Sequence, residues 1–117
     1  MSCLFDTLSI HVGLNSNILR QKICDYLEEN PNLFEDISTQ DYVKWVGEGY
    51  SDLESYVTNM RNSSTWGGAI EIKAFCNMFN VNVNVNDKRG KSDNIEFLVD
   101  KETNTLNINW NGGHYYN

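Results

Sequence analysis

At Phe79 the spacing of the apolar residues changes, and that change limits the fold more than any other feature of the chain. Before it, Ile72, Phe75, Cys76 and Phe79 stand at i, i+3, i+4 and i+7, which puts them on one face of a helix. Directly after it, Val81, Val83 and Val85 alternate with Asn82, Asn84 and Asn86, the pattern of a half-buried strand with one wet face. Helices first and strands afterwards is an α+β order, not a doubly wound one.

The helical half divides further. Cys3 to Val12 reads as a helix with Leu4 or Phe5, Leu8 and Val12 on one face, stopped by Gly13. Asn15-Ser16-Asn17 offers caps for a second helix whose stripe is Leu19, Ile23, Tyr26 and Leu27. Asn30-Pro31 ends it, because a residue before proline is pushed out of the helical region. A short helix is expected over Gln40 to Val46, broken by Gly47 to Tyr50. Ser51-Asp52-Leu53-Glu54 has the form of a capping box, opening a helix with Leu53, Tyr56 or Val57, and Met60 inward. Ser63-Ser64-Thr65 is expected to cap the helix that ends at Phe79.

In the second half, Ile95 to Val99, then Leu106, Ile108 and Trp110, and finally His114 to Tyr116 read as further strands of an antiparallel meander. Asn111-Gly112-Gly113 is turn chemistry that needs positive φ.

Composition excludes several classes of function. A chain of 117 residues, 40% hydrophobic, makes one domain over 1–117 with a core that needs no disulfide staples. The net charge is −7 and no Lys/Arg cluster occurs, so a nucleic-acid backbone is a poor partner and a basic protein surface a better one. Nothing approaches the roughly 20 apolar residues of a membrane helix. Three cysteines, no C-x-x-C pair and no signal-like stretch after Met1 lead us to expect an intracellular, cytoplasmic protein with free thiols. A monomer without a cofactor is expected. Two distant histidines without ligand spacing argue against a metal, and a serine hydrolase would need a G-x-S-x-G elbow.

What chemistry remains sits at the two ends. Cys24 and Cys76 belong to apolar stripes and read as small buried hydrophobes. Cys3 stands where a helix begins, and the partial positive charge there favours a thiolate. His114 follows two glycines that allow a tight turn and leave room for an extended substrate, with Trp110, Tyr115 and Tyr116 as walls of a channel. The bland alternative is that Cys3 is a buried hydrophobe and His114 an ordinary hairpin histidine. His11, inside the first helix, reads as structural or surface.

Cys3-Leu4-Phe5 at a helix start resembles the cysteine box of ovarian-tumour (OTU) domain deubiquitinases, Asp-Gly-Asn/Asp-Cys-Leu-Phe. Trp66-Gly67-Gly68 with Glu71 and Ala74 is similar to that family's W-G-G-x-x-E-x-x-A segment. The run Phe79 to Val83 looks like the strand that follows, and His114-Tyr115 matches the His-Tyr box. The resemblance spans essentially the whole chain. It implies a papain-like cysteine protease fold, with helices around a small, mostly antiparallel sheet. It further implies hydrolysis of the isopeptide bond after the Gly-Gly tail of ubiquitin or a ubiquitin-like modifier, polyubiquitin chains included.

In that scheme Cys3 is the nucleophile and His114 the general base and acid. The backbone amides of Ser2 and Cys3 contribute to the oxyanion hole, where one donor is worth about 2.7–4 kcal/mol. Trp110, Gly112, Gly113 and Tyr115 form a channel that admits only glycine-like residues. Trp66 is expected to pack at a helix start against the core, and Glu71 to hydrogen-bond a nearby loop. Two departures bear on the machinery. Met1-Ser2 replaces the Asp-Gly pair, so either natural residues precede Met1 or the oxyanion hole is built differently. Tyr116 stands at the family's Asn/Asp position with Asn117 one place on, so Asn117 can orient His114 only where the strand ends or bulges. The short, Asn-rich chain suits a virus or another AT-rich intracellular agent. Two rivals remain: a catalytically weak ubiquitin-binding module, and a polyprotein-processing protease.

Overall fold

The computed structural model describes residues 3–30, 32–34, 36–46, 49–50, 52–89, 95–99 and 102–117, without the Val46 side chain. Among them are five helices: α1 (Cys3–Val12), α2 (Ser16–Glu29), α3 (Thr39–Val46), α4 (Leu53–Met60) and α5 (Ala69–Phe79). The strands are β1 (Asn32–Phe34), β2 (Ile37–Ser38), β3 (Asn82–Asp87), β4 (Ile95–Phe97), β5 (Thr105–Trp110) and β6 (Tyr115–Tyr116). No described helix is long and apolar enough to cross a membrane.

Local chemistry explains most of the helix ends. α1 stops at Gly13, whose φ is +68°, a conformation glycine adopts without penalty. The Asn15 side chain accepts from the amides of Asn17 and Ile18 and so caps α2. The cap of α4 is Asp52, which accepts from the Ser55 amide at 2.8 Å; the expected cap Ser51 lies outside the described residues. α5 starts just after the Gly67-Gly68 pair and not directly after Ser63-Ser64-Thr65. Ser64 and Thr65 are used in a turn, bonded to the Asn62 side chain and the Asn59 carbonyl. The capping residue is Gly68, whose N–H donates to Glu71 Oε1 at 2.7 Å, the half of a capping box that a glycine can share.

α2 is the central helix, packed on α1, α4 and α5. Its stripe of Leu19, Ile23 and Leu27 is wholly buried, each side chain contributing about 1.5–3 kcal/mol. Arg20 is buried in the same row. Its guanidinium donates to the carbonyls of Met60 and Ser63 and lies 4.2 Å from the centre of the Phe5 ring. α1 approaches the 65–69 segment so closely that a Cβ on Gly67 would stand 2.9 Å from Leu4 Cδ2 and Phe5 Cε2.

The α+β order holds, but the strands do not form the expected meander. The sheet order is β4-β3-β5-β6, with β3 and β5 parallel over six residue pairs and the two outer pairings antiparallel. One residue accounts for the crossover. Asn82, expected on a wet face, is buried at the start of β3. Its side chain accepts from the Val99 amide and donates to the Thr103 carbonyl, and its own N–H donates to Asn104. The chain leaving β4 is thus tied across the start of β3 and emerges on the far side, running in the same direction. A separate hairpin, β1 with β2, follows α2; strands of three and two residues are too short for alternation to mark.

Candidate active site

Cys3 is the first residue of α1 and is partly exposed. It lines a groove of about 520 Å³ together with Gly67, Gly68, Trp110, Gly113 and Tyr115. The two ends of the chain therefore meet, as the motifs imply. Of the expected channel residues, Trp110, Gly112, Gly113 and Tyr115 all lie on this groove. His114 sits between Gly113 and Tyr115 and is exposed. Ser2, the other expected oxyanion donor, lies outside the described residues.

The turn that carries His114 is built by Asn111. Its side-chain oxygen accepts from the amides of Gly113 and His114 at 3.0 and 2.8 Å, and its N–H donates to the His114 carbonyl. Gly112 takes φ +98°, as the Asn-Gly-Gly reading requires.

The strand that follows lies along α1, and its register is set by side chains. Asn117 donates to the Thr7 carbonyl at 3.2 Å, and its oxygen is 2.7 Å from His11 Nε2. Cys3, Thr7 and His11 repeat every four residues, a rise of about 6 Å along a helix. Tyr115 and Asn117 are two residues apart on the strand, a rise of about 6.6 Å. With Asn117 held at Thr7 and His11, the 113–115 stretch is set down at the start of α1, beside Cys3. The sequence lets Asn117 orient His114 only where the strand ends or bulges. Its amide goes to α1 instead, on the strand face it shares with Tyr115, because residues three apart alternate to opposite faces. His11 is accordingly an exposed tether, within the structural reading given to it.

Burial sets the electrostatics of the walls. Tyr115 has its hydroxyl pushed up to about 12, first by burial and then by the charges of Glu71 and Cys3. Its ring stacks on Trp110 at 6.2 Å and 25°. Glu71 is fully buried under the groove, and burial raises its carboxyl to about 7. The Tyr56 hydroxyl, the amides of Gly68 and Glu71, and Arg20 pull the other way without cancelling the burial. Tyr56 donates to Oε2 at 2.5 Å, so this carboxylate fastens α4 and the Gly68 backbone together, the loop-holding role read from its motif. Trp66 is the exception: it is 57% exposed at the groove edge and not packed inward. Cys24 and Cys76 are buried, and burial raises their thiols to about 12 and about 11.

Sequence reasoning overlooked Asn111 as the organiser of the turn, although Asn before Gly-Gly is a recognisable side-chain-to-backbone turn signal. It also overlooked the buried Arg20 and Asp87, for which a single sequence offers no sign. Among the described residues no three His, Cys, Asp or Glu side chains gather as metal ligands.

Comparison with known proteins agrees with this geometry. A family model described as OTU-like cysteine protease matches residues 2–115. Ubiquitin thioesterase otu2 of Schizosaccharomyces pombe is 33% identical over 95 residues, covering 76% of this chain and 30% of that protein. An OTU domain solved in complex with ubiquitin is 26% identical, with a TM-score of 0.75 over 97% of this chain and 61% of its own. The viral OTU domain protease of Dera Ghazi Khan virus shares the fold, with a TM-score of 0.67 at 16% identity, covering 97% of this chain and 71% of that one. The chain thus spans about a third of the length of its curated relative. With the motifs in register, the groove joining both chain ends and the family model covering nearly every residue, the chain belongs to the OTU-like cysteine protease family.

Proposed function

We propose that this chain is a deubiquitinase that hydrolyses the isopeptide bond after the Gly-Gly tail of ubiquitin or a ubiquitin-like modifier. Cys3 Sγ attacks the carbonyl carbon of the terminal glycine, and His114 takes the thiol proton and returns it to the departing lysine amine. The resulting thioester is cleaved by water, which His114 deprotonates. The backbone amides of Ser2 and Cys3 serve the tetrahedral oxyanion. The observation that carries this reading is the shared groove, which Cys3 lines together with Gly67-Gly68, Trp110 and the Gly112-Gly113 pair that precedes His114. Such walls favour a tail without side chains. The net charge of −7 favours a basic partner surface. Similarity to an OTU domain solved with ubiquitin supports the choice of substrate. Polyubiquitin chains as substrates, a monomeric state and a cytoplasmic location, viral or otherwise, belong to the same proposal.

A ubiquitin probe with a propargyl warhead at its C-terminus tests it. The expected outcome is a covalent adduct with the wild type and none with Cys3→Ala. Folded wild-type protein that forms no adduct would sink the proposal, and an adduct on Cys3→Ala would move the nucleophile elsewhere. One observation favours the rival ubiquitin-binding module: the Asn117 amide is bound to α1. Equal ubiquitin affinity for both proteins, with turnover by neither, would select that rival.

A further inference from the structure

Arg89 stands just beyond the end of β3, outside the groove, and the chemistry above makes no use of it. Its guanidinium is nevertheless closely held. The Asp87 side chain, which has no exposed surface, accepts from the Arg89 amide at 3.0 Å, from Nε at 2.9 Å and from Nη2 at 2.6 Å. The guanidinium lies 4.3 Å from the centre of the Trp110 ring. Its Cδ is 3.1 Å from the place a Cβ on Gly112 would occupy. A buried carboxylate has to be paired, and a planar fork that bonds on one edge while stacking on a ring is a geometry lysine cannot reproduce.

These contacts lead towards His114. Asp87 is the register partner of Trp110 across β3 and β5, and the Lys88 amide donates to the Trp110 carbonyl at 2.8 Å. Trp110 is in turn the register partner of Tyr115 and stacks on it. Arg89 thus lies against Trp110, and Trp110 against Tyr115, which lines the groove with Cys3. The same arginine abuts Gly112, the residue whose positive φ turns the chain towards His114. Asn111 holds this turn through its own amides; Arg89 closes it from outside.

We propose that Asp87 and Arg89 are positioning residues for His114, an outer brace that keeps the 111–114 turn in the conformation from which the imidazole reaches Cys3. The catalytic consequence rests on the deubiquitinase reading; the structural one does not. Two readouts on the whole chain separate them: amide hydrogen exchange by NMR, and steady-state hydrolysis of ubiquitin carrying a fluorogenic C-terminal leaving group. For Arg89→Ala, exchange at Gly113 and His114 is expected to quicken at least tenfold, with the α1 and α5 amides within twofold of wild type. Its kcat is expected to fall at least tenfold with KM within twofold. Arg89→Lys keeps the charge opposite Asp87 but not the fork, and is expected to lose at least threefold in both measures. If Arg89→Ala does not fold, Arg89→Lys alone decides. Exchange at Gly113 and His114 within twofold of wild type would overturn the brace. So would a rise in KM with kcat unchanged, which would make Arg89 a ubiquitin contact. A wild type that does not turn over the substrate would defeat the protease reading, and exchange would still decide whether the brace exists.

Discussion

Two Gly-Gly pairs line the groove, and glycine is present in them for different reasons. In the first pair, Gly67 is required by packing, since a Cβ would press on Leu4 and Phe5 at 2.9 Å. In the second, Gly112 is required by its backbone, with φ +98°. The remaining members, Gly68 and Gly113, meet neither demand. A Cβ on Gly68 would find nothing within 4 Å, and one on Gly113 only the Asn111 side chain at 3.8 Å. Each pair therefore holds one glycine needed by the fold and one that borders the groove without crowding. The pairs are also fastened differently. Gly68 is bonded to Glu71, a carboxylate that titrates; Gly113 is bonded to Asn111, an amide that does not.

The largest expected effect comes from that last difference. With its carboxyl raised to about 7 from 4.5, folded Glu71 keeps a proton that the unfolded chain has already released. The folded state binds more protons in this window, so the stabilisation is full below about pH 4.5 and lost as pH rises through about 7. The linkage corresponds to about 3 kcal/mol across the window. Urea titrations from pH 4.5 to 8 should show the wild type weakening with pH more steeply than Glu71→Gln. Parallel curves for the two proteins would refute the assignment. Substitution of Asn111 should leave the slope unchanged.

Gly67→Ala comes next. Two side-chain carbons at 2.9 Å must move, and overpacking of this kind costs about 1–3 kcal/mol. Because Leu4 and Phe5 follow Cys3 directly, the change should also lower the rate of alkylation at Cys3. Gly112→Ala is expected to cost about 1–2 kcal/mol, the penalty of a left-handed conformation for a residue with a Cβ. A denaturation midpoint unchanged from wild type in either variant would remove that pair's structural glycine from the comparison.

How much of this could be read beforehand depends on the distance between partners. The helices were legible because their period is local, and Leu19, Ile23 and Leu27 are buried as spaced. Cys3 and His114 were legible as motifs, and the groove brings their neighbourhoods together. The parallel pairing of β3 with β5 was not. It depends on Asn82 binding Val99 and Thr103, and an asparagine in an alternating strand reads as a solvent-facing residue. The partners of Asn117 were hidden for a related reason. Its position two residues beyond Tyr115 specified a strand face, but only α1, over a hundred residues earlier, supplied the partners His11 and Thr7. Buried Asp87 and Arg20 carry no local sign, because ionised residues are rarely found fully buried and a sequence reader places them outside.

Gly113→Ala should change stability least of the four and reveal most about the groove. The position lacks a positive φ and has no close neighbour, so alanine can take the native conformation. Fewer states are then open to the unfolded chain, and the variant should be as stable as wild type or more stable by about 0.4–1 kcal/mol. The added methyl group borders the groove beside Cys3. If an extended, side-chain-free tail passes there, the methyl narrows the channel, and kcat/KM for ubiquitin substrates should fall by about tenfold, or about 1.4 kcal/mol of transition-state stabilisation. Iodoacetamide is far smaller than the tail, so its reaction with Cys3 should be unaffected, while Cys24 and Cys76 stay unmodified in both proteins. A folded Gly113→Ala enzyme with wild-type kcat/KM would place the tail elsewhere. Gly113 would then be a turn residue and nothing more, and Gly68 would be the remaining glycine with room for a substrate beside it.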